Sequence, residues 1–274
     1  MAGAGTMGSG IALASAQNNF TVILFDTNNE VLEKARGSIN KNLEFLLDKN
    51  KITSEEKRLI FDKLRFTSSI KDCVADVIIE AIVEKLTAKI DLFNQLSAIN
   101  NDECIFASNT SSIPISEIQS AVVNPGRVAG MHFFNPPHVM KLVEVIKGNK
   151  TSEKVVKDLM LLSVQLGKTP VLCQDSPGFI VNRVARHYYL EAMKLVESGI
   201  ATIEDVDEIM EATGFKMGPF RLMDLIGMDI NLAVSESLYN AFDQAERLKP
   251  SGMQVDKVNK GELGRKSGKG FYNY

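Results

Sequence analysis

The sequence predicts an α/β protein in two parts: a mostly parallel sheet covered by helices, then an all-helical C-terminal domain. Three observations predict it. Short apolar runs alternate with helical patterns through the first 174 residues. The break Asp175-Ser176-Pro177-Gly178 ends that alternation, and no clear strand follows it. A glycine-rich G-x-G-x-x-G segment opens the chain. The predicted domains are therefore residues 1–174 and 175–274, both within ordinary domain size.

The elements follow in order. Residues 1–10 are glycine-rich, and 10–17 continue as a helix rich in Ala, Ile and Leu. Asn18-Asn19 is a turn. Residues 20–25 (FTVILF) read as a buried strand with Asp26 at its end. Residues 28–64 are charged and amphipathic, a helical pair broken near 50–53. Residues 77–79 are a buried strand, 86–99 a helix and 104–107 a short strand, followed by the polar loop 108–112. Residues 128–133 and 142–146 are strands, 151–166 a helix and 169–173 a last strand. In the second part, residues 179–197, 202–212 and 227–245 have helical periodicity. Gly199, Gly214 and Gly218-Pro219 punctuate them.

Bulk composition narrows the function classes. The chain has 274 residues, 45% hydrophobic and 24% charged, as in ordinary globular proteins. A net charge of -3 gives no electrostatic case for nucleic acid or an anionic membrane. Cys73, Cys104 and Cys173 are odd in number and match no metal spacing, so they read as buried thiols in a reducing cytosol, and no metal is expected. No run is long and apolar enough to span a bilayer, and no leader precedes the first motif. A cytoplasmic protein is expected.

Gly3-Ala4-Gly5-Thr6-Met7-Gly8 carries a specific chemistry. Gly3 permits a tight turn, Gly5 lets backbone N–H groups approach a pyrophosphate, and Gly8 lets the helix pack close to its strand. The helix N-terminus adds positive potential. Thr6 and Met7 complete this cofactor loop. Asp26 ends the next strand, where an acid binds adenosine ribose hydroxyls. Asp26 also repels a 2′-phosphate, so NAD is expected rather than NADP. The first domain is thus Rossmann-like. A fingerprint of this kind should follow a strand, yet only Met1 and Ala2 precede Gly3. The first strand is expected to be missing or nearly so, from a start truncated relative to the functional gene product.

Three polar segments fall where strands of the first domain end: Ser108 to Ser112, His132 to Pro137, and Glu144 within 142–146. Ligands of open parallel sheets bind at carboxyl ends. A His and a Glu meeting there form a general base and its orienting carboxylate. Each residue also admits a structural reading. His132 alone is more often a hydrogen-bonded structural histidine. Glu144 alternates with apolar neighbours as a solvated strand residue would. Ser112 or Thr110 suits an N-cap before 115–120. His138 and His187 read as structural or surface residues.

The residues also carry a family. The segments GAGTMGSGIA, IIEAIVEKL, ASNTSS, GMHFFNPP, VMKLVEVIKG, SPGFIVNRV, MGPFRLMDLIGMD and GRKSGKGFYNY span nearly the whole chain. With them the chain resembles the short-chain L-3-hydroxyacyl-CoA dehydrogenases, the bacterial 3-hydroxybutyryl-CoA dehydrogenases in particular. The resemblance implies that His132 is the base and Glu144 its paired carboxylate. It implies that Ser111 and Asn182 hold the substrate's 3-oxygen and thioester carbonyl, in a cleft between domains. Asn135 is a further cleft residue. Glu84, Lys89 and Asn109 fall on the cofactor side. Lys49 matches a basic position that contacts coenzyme A, although Asn42 replaces its usual serine partner; read alone, Lys49 is a solvated helix lysine. The implied reaction passes hydride between NAD(H) and a short 3-hydroxyacyl-CoA, with (S)-3-hydroxybutanoyl-CoA and acetoacetyl-CoA as the leading pair. The implied assembly is a homodimer through the helical domain. The rivals are a dehydrogenase of free hydroxy acids, and a non-catalytic NAD-binding relative.

Overall fold

A computed structural model describes every residue from Met1 to Tyr274. The chain divides into two compact units, Met1–Ser176 and Pro177–Tyr274.

The first unit holds seven strands: β1 Val22–Phe25, β2 Leu64–Thr67, β3 Val77–Glu80, β4 Ile105–Ser108, β5 Val128–Phe133, β6 Leu142–Lys147 and β7 Thr169–Gln174. β1 pairs with β2, and β3, β4 and β5 run in order, all in parallel. β6 turns back antiparallel to β5, and β7 runs parallel to β6. The sheet is therefore mostly parallel, as predicted. Its departure from parallel pairing is the contact that matters most for the site.

The sequence predicts almost no first strand, and one residue stands in its place. Ala2 bridges Phe25 of β1 and Glu80 of β3, parallel to both. Its N–H donates to the Ile79 carbonyl and its carbonyl accepts from Ala81 N, both at 2.8 Å. Beyond Met1, between β1 and β3, lies a cavity of about 360 Å³ lined by Phe20, Ile23, Val77, Ile79 and Leu166 among others.

Six helices cover the sheet: α1 Thr6–Gln17, α2 Asn29–Asp48, α3 Ser54–Asp62, α4 Leu86–Ser97, α5 Ile115–Gln119 and α6 Glu153–Gln165. α1 is buried from Gly8 to Ala16, which explains its small, unpatterned residues. α2 buries only Leu32, Ala35, Ile39 and Leu43, a single stripe at helical spacing. The Asn28 side chain caps α2, and a Thr53–Glu56 capping box starts α3. β2 is absent from the sequence reading, which runs the second helix on to Leu64. Its four residues leave the helix at Lys63 and pair with β1.

The second unit is helical: α7 Val181–Glu197, α8 Ile203–Ala212, α9 Pro219–Ile226, α10 Met228–Ala241 and α11 Gly252–Asn259. α9 and α11 add to the three predicted helices. Two buried acids hold this unit together. Asp207 accepts from Phe220 N, Arg221 N and the Tyr272 hydroxyl. Asp224 accepts from Phe271 N and Tyr272 N, both at 2.9 Å. The C-terminal segment is thereby fastened to α8 and α9. Gly270 is required there, since a Cβ would lie 2.1 Å from Asp224 Oδ1.

No helix of the protein is long and apolar enough to cross a membrane.

Candidate active site

The glycines of the opening loop are demanded by contact. At Gly8 a Cβ would lie 1.8 Å from the Gly3 carbonyl oxygen. Gly3 has φ +94°, and a Cβ there would meet Ala81 O at 2.6 Å. Gly5 differs: a Cβ would meet nothing within 4 Å. The N-terminus of α1 thus opens onto space, with Thr6 and Met7 in its first turn. Asp26 Oδ2 accepts from Ala4 N at 2.9 Å, and Oδ1 from Asn28 N at 3.0 Å. An acid at the end of β1 is therefore held against the glycine loop. Open donors, a helix N-terminus and an adjacent acid fit a dinucleotide with an unphosphorylated ribose.

β5 and β6 are antiparallel, and their register sets His132 directly opposite Glu144. His132 Nδ1 lies 2.8 Å from Glu144 Oε2. Both residues are buried, His132 at 6% exposure and Glu144 at 1%. The Phe134 ring packs 4.7 Å from the imidazole, centroid to centroid. A carboxylate on Nδ1 fixes the ring's tautomer and orientation. The contact fulfils the first requirement for a base with an orienting acid.

The connection between β5 and β6 is also held. Lys168, 8% exposed, donates from Nζ to the carbonyls of Pro137 and Met140 at 2.5 and 2.9 Å. Burial first, and then the neighbouring Lys141, lowers its pKa. His138, in the same connection, is half-buried. Burial first and Lys168 second hold its pKa below the ordinary histidine value.

A second cluster closes the carboxyl ends of β3 and β4. Glu80 and Lys89 are fully buried, at 0% and 1% exposure. Glu80 Oε1 accepts from Lys89 Nζ at 2.6 Å and from Ile82 N at 2.7 Å, and Oε2 accepts from Ser108 Oγ at 2.7 Å. Lys89 Nζ also lies 3.1 Å from Glu84 Oε2. Glu84 Oε1 accepts from Thr110 Oγ1, Ser111 N, Ser112 N and Ser112 Oγ. Burial, the largest influence, pushes the Glu84 carboxyl up. Lys89 and the hydrogen bonds from Thr110 and Ser112 outweigh it, so its pKa is lowered.

The predicted residues divide accordingly. Glu84, Lys89 and Ser111 belong to this one network. Lys89 is committed to two carboxylates, Glu80 and Glu84. Asn109 ties the two clusters together: its N–H donates to Glu80 O, and its Oδ1 accepts from Phe133 N, next to His132. Asn135 shares a cavity of about 310 Å³ with Gly5, Thr6 and Ser9. Lys49 stands apart at the C-cap of α2, its Nζ 5.8 Å above the Phe45 ring. Asn182 is half-buried in the first turn of α7.

Sequence reasoning names Ser108 only as the start of a polar loop, and it missed Glu80, Lys168 and Asp175, whose carboxylate accepts from Ile115 N and Ser116 N and so caps α5. Glu80 carried a usable signal. It closes an apolar strand as Asp26 does, the same feature that singles out Asp26.

Comparison with known proteins decides the family. Residues 1–176 match the NAD-binding domain model of 3-hydroxyacyl-CoA dehydrogenase, and residues 178–274 match its C-terminal domain model. The chain belongs to the 3-hydroxyacyl-CoA dehydrogenase family. Among relatives, an Escherichia coli K12 protein named 3-hydroxyadipyl-CoA dehydrogenase is 44% identical over 99% of this chain. This chain spans 58% of that relative's length. A Deinococcus radiodurans probable 3-hydroxybutyryl-CoA dehydrogenase is 42% identical, with 99% of this chain and 98% of that protein covered. The solved (S)-3-hydroxybutyryl-CoA dehydrogenase of Ralstonia eutropha is 37% identical, with a TM-score of 0.95, covering 100% of this chain and 97% of that one. The two dehydrogenase domains of the family thus account for both compact units, and the predicted fold class holds.

Proposed function

We propose that this family member transfers hydride between NAD(H) and a short-chain 3-hydroxyacyl-CoA / 3-oxoacyl-CoA pair, with (S)-3-hydroxybutanoyl-CoA and acetoacetyl-CoA as the leading pair. The observation that carries the reading is the buried His132–Glu144 pair, in the same unit as a glycine loop suited to NAD. His132 Nε2 takes the proton of the substrate's 3-hydroxyl, and Glu144 stabilises the imidazolium so formed. Ser111 and Asn182 hold the 3-oxygen and the thioester carbonyl in line. Gly3, Gly5, Thr6, Met7 and Gly8 cradle the pyrophosphate, and Asp26 takes the adenosine ribose. Glu84, braced by Lys89 and Asn109, serves the nicotinamide end. Asn135 lines the substrate side, and Lys49 meets coenzyme A. When bound, NAD+ supplies the hydride acceptor, and NADH the donor for the reverse direction.

The test is NADH consumption with acetoacetyl-CoA, longer 3-oxoacyl-CoA substrates, the six-carbon dicarboxylic thioester suggested by the E. coli relative's name, and free acetoacetate, repeated with NADPH. Turnover of the thioesters with NADH is expected, and little with the free acid. Activity on free acetoacetate alone would favour the free-acid reading. His132→Ala should lower kcat by about 10³-fold while NAD affinity stays within a few-fold. Retained turnover would overturn the assignment.

We also infer a cytoplasmic homodimer formed through the C-terminal unit. Val184, Ile200 and Ile209 are exposed there, apolar surface that a second copy would cover. Light scattering should give the mass of two chains.

A further inference from the structure

The Glu80–Lys89–Glu84 cluster is a costly construction for a purely structural purpose. Two of its charged groups are fully buried, and an apolar pair of similar volume would hold β3 to α4 without desolvating either charge. Its placement is informative. A dinucleotide on such a sheet runs across the carboxyl ends, with its adenosine at the acid of β1. Here that acid is Asp26. The other end of the ligand then falls on the far side of Ala2, towards β3, β4 and His132 on β5. The cluster occupies those strand ends.

Its charge is also informative. One ammonium faces two carboxylates, Glu80 at 2.6 Å and Glu84 at 3.1 Å. The sum is one negative charge, set among buried Ser108 and Thr110. Hydride transfer changes the nicotinamide from a cationic ring to a neutral one. A fixed negative charge in a poorly screened place acts differently on those two forms.

We infer that Glu80 is a positioning residue that also acts electrostatically. Through Lys89 and Glu84 it holds a net negative charge under the nicotinamide end, which favours the oxidised cofactor over the reduced one. The inference rests on the NAD reading above. Glu80 also anchors Lys89, Lys89 holds Glu84, and Glu84 takes the amides of Ser111 and Ser112. A buried strand-end carboxylate thus sets both the charge beneath the cofactor and the loop that carries Ser111.

The experiment measures dissociation constants of NAD+ and NADH separately, by titration of the full chain. In Glu80→Gln the cluster becomes neutral with its shape nearly kept. The ratio Kd(NAD+)/Kd(NADH) should rise about tenfold, the order expected of one unit charge beside a partly shielded site. Ser108→Ala removes a hydrogen bond to Glu80 and no charge, so its ratio should stay within about twofold of the parent protein. If Glu80→Gln fails to fold, Glu84→Gln carries the same prediction, because that side chain is 38% exposed and tolerates replacement. Equal weakening of both cofactors, an unchanged ratio, or a shift towards NAD+ would overturn the electrostatic role. Failure of the unaltered protein to bind either cofactor would instead overturn the NAD reading itself.

Discussion

The two charged clusters of the N-terminal unit follow different plans. His132 and Glu144 meet because two antiparallel strands place them directly opposite. Nothing but strand register is needed, and a slip of one residue in either strand would turn its side chain to the opposite face, away from its partner. The Glu80–Lys89–Glu84 cluster instead gathers side chains from a strand end, a helix and two loops, and fills its lone pairs with loop amides. The first plan gives a stiff pair suited to moving a proton in a fixed direction. The second gives a cage whose charge is fixed while its wall carries Ser111.

Substitutions can break that contrast from either side. After His132→Ala, the largest effect is expected for Glu144→Gln, which keeps the shape but removes the charge that steadies the imidazolium. A loss in kcat on the order of 10²-fold should follow, with NAD affinity unchanged; steady-state kinetics beside cofactor titration checks both. Thr110→Val should act on the cage alone. It removes a hydroxyl that donates to Glu84 and accepts from Ile113 N at 2.9 Å. About 1–3 kcal/mol of stability should be lost, read as a fall of several degrees in Tm, with a higher KM for the thioester. The smallest effect is in pH. Glu84 has a lowered pKa in the folded protein, so its contribution is present above the unfolded value near 4.5 and fades as pH falls through the lowered one. The Tm difference between the parent protein and Glu84→Gln should therefore narrow below pH 4.5. A difference that stayed constant would place Glu84 outside the balance.

The same contrast explains what the sequence could disclose. The pair was legible because His132 and Glu144 both fall in polar segments read at strand ends and both match the family's motifs. Their antiparallel pairing was not, since nothing in residues 128–146 reports strand direction. The cage was legible only in part. Glu84 and Lys89 came from the family resemblance, whereas the partners that bury Lys89 depend on where two loops fold. Local competition hid the smaller elements. β2 follows a helix whose apolar spacing runs through Leu59, Ile60 and Leu64, so four strand residues merge with it in the pattern. α9 begins with Pro219, which reads as a break, although proline suits the first helical position. α11 is eight residues long, and its start is marked by a Ser251–Gln254 capping box rather than by periodicity.

Ala2 has a consequence for motion. The strands that carry Asp26 and those that carry His132 are joined edge to edge through Met1, Ala2 and Gly3, with Met1 and Gly3 bonded to β1 and Ala2 to β3. A cofactor reaching from one acid to the other would act as a second seam across that joint. Amide protons of β1 and β2 should then exchange more slowly once NAD+ is added, while those in the centre of β4 and β5 change little. The ligand would complete the mechanical continuity of the sheet that receives it.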